Sequence, residues 1–185
     1  MSVESSNSKQ IKSHVESCVE LGLFNPKSPT NVGAIMRSAG CFNADGVYYT
    51  GERYRRAAEY QTQYFTDTKN AEQRIALINV DDLFSQVKAN TRVVCVELVE
   101  GAVPLHLFEH PQKAFYILGP EDGTLPQNIV DKADDVVYVP TTGCLNLAAT
   151  VNILLYDRCS KLGFKVMGDE LIRTSRDNRN RTVVR

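Results

Sequence analysis

SCVELGLFNPKSPTNVGAIMRSAGCFNADGVYYT, Ser17–Thr50, is the stretch whose reading decides the fold. SCVELGLF (Ser17–Phe24) alternates and is apolar enough for a strand. NPKSP (Asn25–Pro29) has the composition of a turn. A helix follows to about Phe42, with Thr30 or Asn31 as its expected N-cap. GVYYT (Gly46–Thr50) is rich in β-formers and reads as the next strand. The polar content of the helix is unusual for its place: Asn31, Gly33 and Arg37 fall within its first two turns, and Gly33 and Arg37, four apart, share a face.

Working outward, the alternation continues. GERYRRAAEYQTQYF (Gly51–Phe65) is mixed, basic and partly helical; RIALIN (Arg74–Asn79) is a strand; VDDLFSQVKAN (Val80–Asn90) reads as a helix with an acidic first turn. TRVVCVEL (Thr91–Leu98) is a strand and EGAVPLHLFEH (Glu100–His110) a connection. KAFYILG (Lys113–Gly119) is a strand, PEDGTLP a loop, QNIVDKA (Gln127–Ala133) a short helix, DVVYVP (Asp135–Pro140) a strand and TTGC a loop. LNLAATVNILLYDRCSKLG (Leu145–Gly163) is a long helix. Several strands are continuous apolar runs, as burial on both faces requires. The fold class is therefore α/β, with a mainly parallel sheet flanked by helices. Residues 1–16 read as a polar N-terminal tail, 17–165 as the domain, and 166–185 as a basic C-terminal tail, of which Arg173–Arg185 is expected to be loosely ordered on its own.

Composition narrows the class. The chain has 185 residues, 43% apolar, which suits one domain with a real core. Its net charge of −1 gives no global positive field, so any nucleic-acid contact must be local. The five cysteines are odd in number, form no C-x-x-C and sit mostly in apolar runs; they read as reduced, buried thiols of a cytoplasmic protein. No signal peptide or membrane span is expected. His106 and His110 lack partners in a metal-binding arrangement and read as surface or core histidines, so no metal is expected.

In an open parallel sheet, ligands bind outside the carboxyl ends of the strands. Three loops at such ends carry unusual residues: NPKSPTNVGAIMR; GPEDG (Gly119–Gly123), with Glu121 and Asp122 at its rim; and VPTTGCLN (Val139–Asn146), where Asn146 opens an apolar helix. Taken singly, each has an ordinary explanation as a turn, a cap or a solvated charge.

Together they resemble the SpoU/TrmH family of RNA ribose 2′-O-methyltransferases, within the SPOUT superfamily. The family's first motif, N-x-G-x-x-x-R, is matched by Asn31-Val32-Gly33-Ala34-Ile35-Met36-Arg37. The second, roughly G-P-E-x-x-G after a strand, is matched by Gly119-Pro120-Glu121-Asp122-Gly123, one residue tighter. The third is matched by Val139-Pro140, then Cys144-Leu145-Asn146, and a helix ending Leu154-Leu155-Tyr156-Asp157. The loop between Pro140 and Leu145 is short, and Cys144 stands where the family usually has Ser; a thiol is the poorer donor. The resemblance runs from about Cys18 to Gly163.

It implies S-adenosyl-L-methionine as cofactor, a C-terminal trefoil knot whose loop holds it, and a homodimer in which each site is completed across the interface. By the same resemblance Arg37 is the catalytic residue, with Asn31, Asn146 and Glu121 around it. The cofactor residues are Glu97, Leu98, Leu118, Gly119, Val139, Pro140, Cys144 and Leu145. Because Arg is effectively always protonated, Arg37 is expected to stabilise charge rather than to act as an ordinary base. RNA contact is expected from Arg37, from Arg53, Arg55 and Arg56 beside the stacking ring of Tyr54, and from Arg173, Arg176 and Arg179 in the tail. Transfer RNA is the first expectation and ribosomal RNA the second. A catalytically silent RNA-binding member and a metabolite-binding α/β protein remain as alternatives.

Overall fold

The computed structural model describes residues 17–59, 75–176 and 179–184. Strands β1 (Cys18–Leu23), β2 (Gly46–Tyr49), β3 (Leu77–Asn79), β4 (Arg92–Val96), β5 (Val103–Pro104), β6 (Lys113–Leu118) and β7 (Asp135–Tyr138) form one sheet in the order β3-β2-β1-β6-β4-β7-β5. All the pairings are parallel, so the sheet expected to be mainly parallel is wholly so. The helices are α1 (Pro29–Cys41), α2 (Arg53–Glu59), α3 (Gln127–Val130), α4 (Leu147–Leu162) and α5 (Asp169–Ser175). Among the described residues, no helix is long and apolar enough to cross a membrane.

Two apolar layers cover the sheet, which is why its central strands lack polar alternation. On one face Leu21, Val94 and Tyr116 pack with Val32 and Ile35 of α1 and Val151 and Leu154 of α4. On the other, Val93, Phe115 and Ile117 meet Leu83, Leu125 and Ile129. α1 buries Val32, Ile35, Met36 and Ala39, a helical-period stripe, and leaves Arg37 exposed.

Several expectations change. Ser28, not Thr30 or Asn31, caps α1: its side chain accepts the Asn31 N–H at 3.3 Å, and Pro29 takes the first turn, where its missing N–H costs nothing. Val80–Asn90 holds only a 3-10 turn, Leu83–Gln86, capped by Asp82. Leu83 is the one buried side chain of that segment, so packing rewards a single turn rather than a helix. The connection after β4 contains β5, whose Pro104 suits an edge strand, and a second 3-10 turn, Leu105–Leu107. The strand expected from Arg74 is β3, Leu77–Asn79; Arg74 and residues 60–65 of the segment read as partly helical lie outside the described residues. The basic C-terminal segment opens with α5, whose last residues, Arg173–Ser175, fall in the stretch expected to be loosely ordered; Asp169 and Glu170 stand in its first turn and Arg173 in its last, charges that suit the helix dipole. The thiols are also less uniformly buried than expected: Cys95 is buried, Cys18 and Cys159 are half-buried, and Cys41 and Cys144 are exposed.

A buried polar network fixes α4. Arg158 donates to the carbonyls of Pro111 (2.6 Å) and Gln112 (2.7 Å), to the Tyr116 hydroxyl (3.1 Å) and to Ser17 Oγ (3.2 Å). His110 sits between the Tyr116 hydroxyl (2.6 Å) and Asp157 Oδ2 (2.8 Å). Lys161 reaches Asp157 at 2.7 Å and the carbonyls of Leu105 and Phe108. Burial pushes the Tyr116 hydroxyl up to about 12, and burial holds His110 below the usual imidazole value despite Asp157. The far end of the helix thus locks to the approach to β6, and its start, Asn146, is set at the carboxyl ends of the strands.

Candidate active site

Three loops meet at those strand ends, and they are joined by side chains. Because Ser28 caps α1, the Asn31 amide is available for longer reach. Its Nδ2 donates to Glu121 Oε1 at 3.0 Å, while its Oδ1 accepts from Asn146 Nδ2 at 2.9 Å. Asn146 caps α4 as well, its Oδ1 accepting the N–H groups of Ala148 (2.9 Å) and Ala149 (3.3 Å). Glu121 accepts further N–H bonds from Lys27 (2.8 Å) and Ser28 (3.0 Å). Partial burial raises the Glu121 carboxyl, but the Asn31 amide and these backbone donors outweigh it and hold the group below the usual carboxylate range. One chain of bonds therefore runs from the loop after β6, through the first turn of α1, to the start of α4.

Beside this chain lies a cavity of about 140 Å³ between the ends of β4, β6 and β7. It is lined by Glu97, Leu98, Leu118, Gly119, Glu121, Val139, Cys144 and Leu145, all expected there. Pro140, also expected there, is exposed between Val139 and Thr141, both of which line the cavity. Val96, Pro120, Gly123, Tyr138, Thr141, Leu147 and Thr150 were not anticipated. Tyr138 was legible as the last residue of a strand, and Thr150 as the helical neighbour of Asn146 four residues on. Glu97 spans two loops, accepting the N–H of Leu98 and that of Leu125, both at 2.9 Å. Gly119 leaves room for the Glu97 carboxylate: a Cβ would lie 2.6 Å from Glu97 Oε2, so that side chain would have to shift.

Arg37 is not among the residues lining this cavity. It lines a larger groove of about 680 Å³ between α1, α4 and the segment leading into α5, together with Arg158, Phe164, Val166 and Leu171. A single chain thus assembles Asn31, Glu121 and Asn146 but leaves Arg37 on a different surface. The other expected RNA contacts are dispersed. Arg53 is held by Asp122, Arg55 by Glu52 and Glu59, and Arg56 lies in the last turn of α2. Arg173 lies on α5, Arg176 follows it, and Arg179 is exposed beyond.

The sequence model described as the SpoU rRNA Methylase family matches residues 19–156. The chain belongs to that family. This SpoU-family chain is 23% identical over 155 residues to the 23S rRNA (guanosine-2′-O-)-methyltransferase RlmB of Acinetobacter baylyi, covering 81% of the chain and 62% of the relative. Among solved structures it matches an AdoMet-bound rRNA methyltransferase from Sinorhizobium meliloti at 25% identity and a TM-score of 0.63, over 80% of this chain and 57% of that one. It matches the A. aeolicus TrmH/SpoU tRNA modifying enzyme in fold, at 18% identity and a TM-score of 0.64, over 86% and 85% of the two chains. The SpoU-family chain thus spans about three-fifths of the length of the first two relatives. Family membership sets aside chance mimicry of the motifs by a metabolite-binding protein.

Proposed function

We propose that this chain transfers a methyl group from S-adenosyl-L-methionine to a ribose 2′-hydroxyl of RNA. The observation that carries the reading is the bond chain Glu121–Asn31–Asn146 running beside the Gly119 cavity. The cavity's chemistry fits an adenosine-type ligand: Leu98, Leu118, Val139 and Leu145 offer apolar walls, the half-buried Glu97 carboxylate offers an acceptor for sugar hydroxyls, and Gly119 lets a ligand approach the backbone. When bound, the cofactor supplies an electrophilic methyl group.

The chain's own residues do the rest. Asn31 and Asn146 fix the first turns of α1 and α4 relative to Glu121, so the RNA-facing wall is preorganised. Arg37 binds the phosphate next to the target ribose and stabilises negative charge developing on the 2′-oxygen; its permanent charge suits this and not proton removal. Since Arg37 lies along the α1–α4 groove, it serves the cavity of a second copy. Exposed Phe164, Val166, Met167 and Ile172 support such a homodimer. The interleaved order β1-β6-β4-β7-β5, in which β6 and β7 flank β4, supports a threaded chain path of the trefoil kind. The unpaired cysteines support a cytoplasmic setting. Transfer RNA and ribosomal RNA are the substrate classes, contacted through α2 and the arginines after α5.

Tritiated-methyl transfer to bulk RNA, followed by nuclease mapping, tests the reaction. Label recovered as a 2′-O-methylnucleotide supports it. Binding of S-adenosylhomocysteine and RNA without transfer would instead identify a catalytically silent member, the reading that exposed Cys144 in place of Ser would then explain.

A further inference from the structure

Beyond Glu121, the loop after β6 carries a second carboxylate with a different task. Asp122 accepts from Arg53 Nη2 through both oxygens, at 2.6 and 2.7 Å, and from Lys27 Nζ at 3.2 Å. Two cations converge on one anion, while the neighbouring Glu121 carboxylate is engaged by Asn31 and the Lys27 and Ser28 N–H groups. We propose that Asp122 occupies, in the free protein, the seat of an RNA phosphate, and that Lys27 and Arg53 exchange this carboxylate for the phosphate when RNA binds. The inference rests on the RNA-methylation reading above and adds a phosphate seat and its internal competitor.

Three features carry it. Arg53 uses only Nη2 on Asp122, and the rest of its planar fork makes no bond among the described residues. A phosphate can engage that fork through two nitrogens, the stronger arrangement. The three side chains are also wet, with Lys27 61%, Asp122 46% and Arg53 32% exposed, and such surface pairs are weak and exchange readily. Finally, the cluster adjoins the bond chain: the Lys27 N–H is bonded to Glu121, which lines the cavity. Lys27 and Arg53 therefore stand at the rim of Glu121's loop, where a strand bound at that cavity would bring a phosphate. Arg53 and Lys27 hold the Asp122 carboxyl below its ordinary value, so the competitor is ionised at neutral pH. Since Glu121 anchors the loop separately, Asp122 can let go without releasing it. In a chain of net charge −1, such an arrangement hides local positive charge until a phosphate claims it.

The test is filter binding of total transfer and ribosomal RNA to the wild-type chain, to Asp122→Asn and to the double variant Lys27→Gln/Arg53→Gln, with thermal unfolding of each. Asp122→Asn is expected to bind about threefold tighter at low salt, with a salt slope steeper by about one, and the double variant to bind more weakly. A purely structural Asp122 gives the opposite sign, weaker RNA binding with a lower Tm, and overturns the exchange. Wild-type binding that Asp122→Asn leaves unchanged also overturns the exchange while the RNA reading stands. A wild-type chain that binds no RNA overturns both.

Discussion

Around the cavity, the carboxylates of Glu97 and Glu121 and the amides of Asn31 and Asn146 are bonded within the chain; along the groove, Phe164, Val166 and Leu171 face water beside Arg37. The first region is shaped by one chain's own hydrogen bonds and needs no partner to hold its form. The second exposes the kind of surface that buries itself against another molecule. In the proposed reading the difference divides binding from chemistry: a cavity formed within one chain would hold the cofactor, and Arg37 lies on another surface.

Arg37→Ala should separate the two most sharply. Methyl transfer should fall by about 10²–10³-fold, the usual cost of removing a preorganised charge donor, while calorimetric affinity for S-adenosylhomocysteine stays unchanged. Should that affinity fall in parallel, the division breaks. Gly119→Ala attacks the other region. Its Cβ would sit 2.6 Å from Glu97 Oε2 and push that oxygen off the Leu125 N–H, so cofactor affinity should drop about tenfold while Tm changes little. On the exposed side of α5, Ile172→Asp should shift sedimentation toward the monomer and abolish transfer without altering cofactor affinity; a monomeric variant with full activity would break the shared site. Asn31→Ala and Asn146→Ala should each cost about 1–2 kcal/mol, and their double-mutant cycle should show coupling of about 0.5–3 kcal/mol.

The smallest expected effect is a pH dependence. His110 is buried and its pKa lies below the unfolded imidazole value, so the unfolded chain binds the proton more tightly. Its contribution is therefore present above about pH 6.5 and is lost as pH falls from there toward the folded pKa, at up to about 1.4 kcal/mol per pH unit. Denaturant unfolding at pH 7.5 and 5.5 checks this, and His110→Gln should flatten the slope.

Much of this was legible because strand ends are legible. Apolar runs placed β1, β4, β6 and β7, the strand-end rule then pointed to the loops of Gly119, Glu121 and Val139, and the family resemblance added Glu97. The α1 cap was not legible, because Ser28, Thr30 and Asn31 are all good caps and only Pro29 in the first turn decides among them. The helix expected over Val80–Asn90 failed because packing offers one anchor, Leu83. Where Arg37 points follows from which stripe of α1 meets the sheet and how α4 lies beside it, and no spacing within the motif reports that. The Asp122–Arg53 contact joins residues 69 apart in sequence, beyond the reach of any local pattern.

The Glu97 clasp has one more consequence. By gripping the N–H groups of Leu98 and Leu125 it welds the segments after β4 and β6 into a single plate. The opposite wall, Pro140–Leu145, is exposed throughout, and its one bond among the described residues is Thr141 Oγ1 to the Gly143 carbonyl, 2.7 Å. A ligand therefore meets one wall that is cast and one that yields. Its rates of arrival and departure belong to the yielding strap, and its choice of what fits belongs to the plate, so the two can be tuned apart.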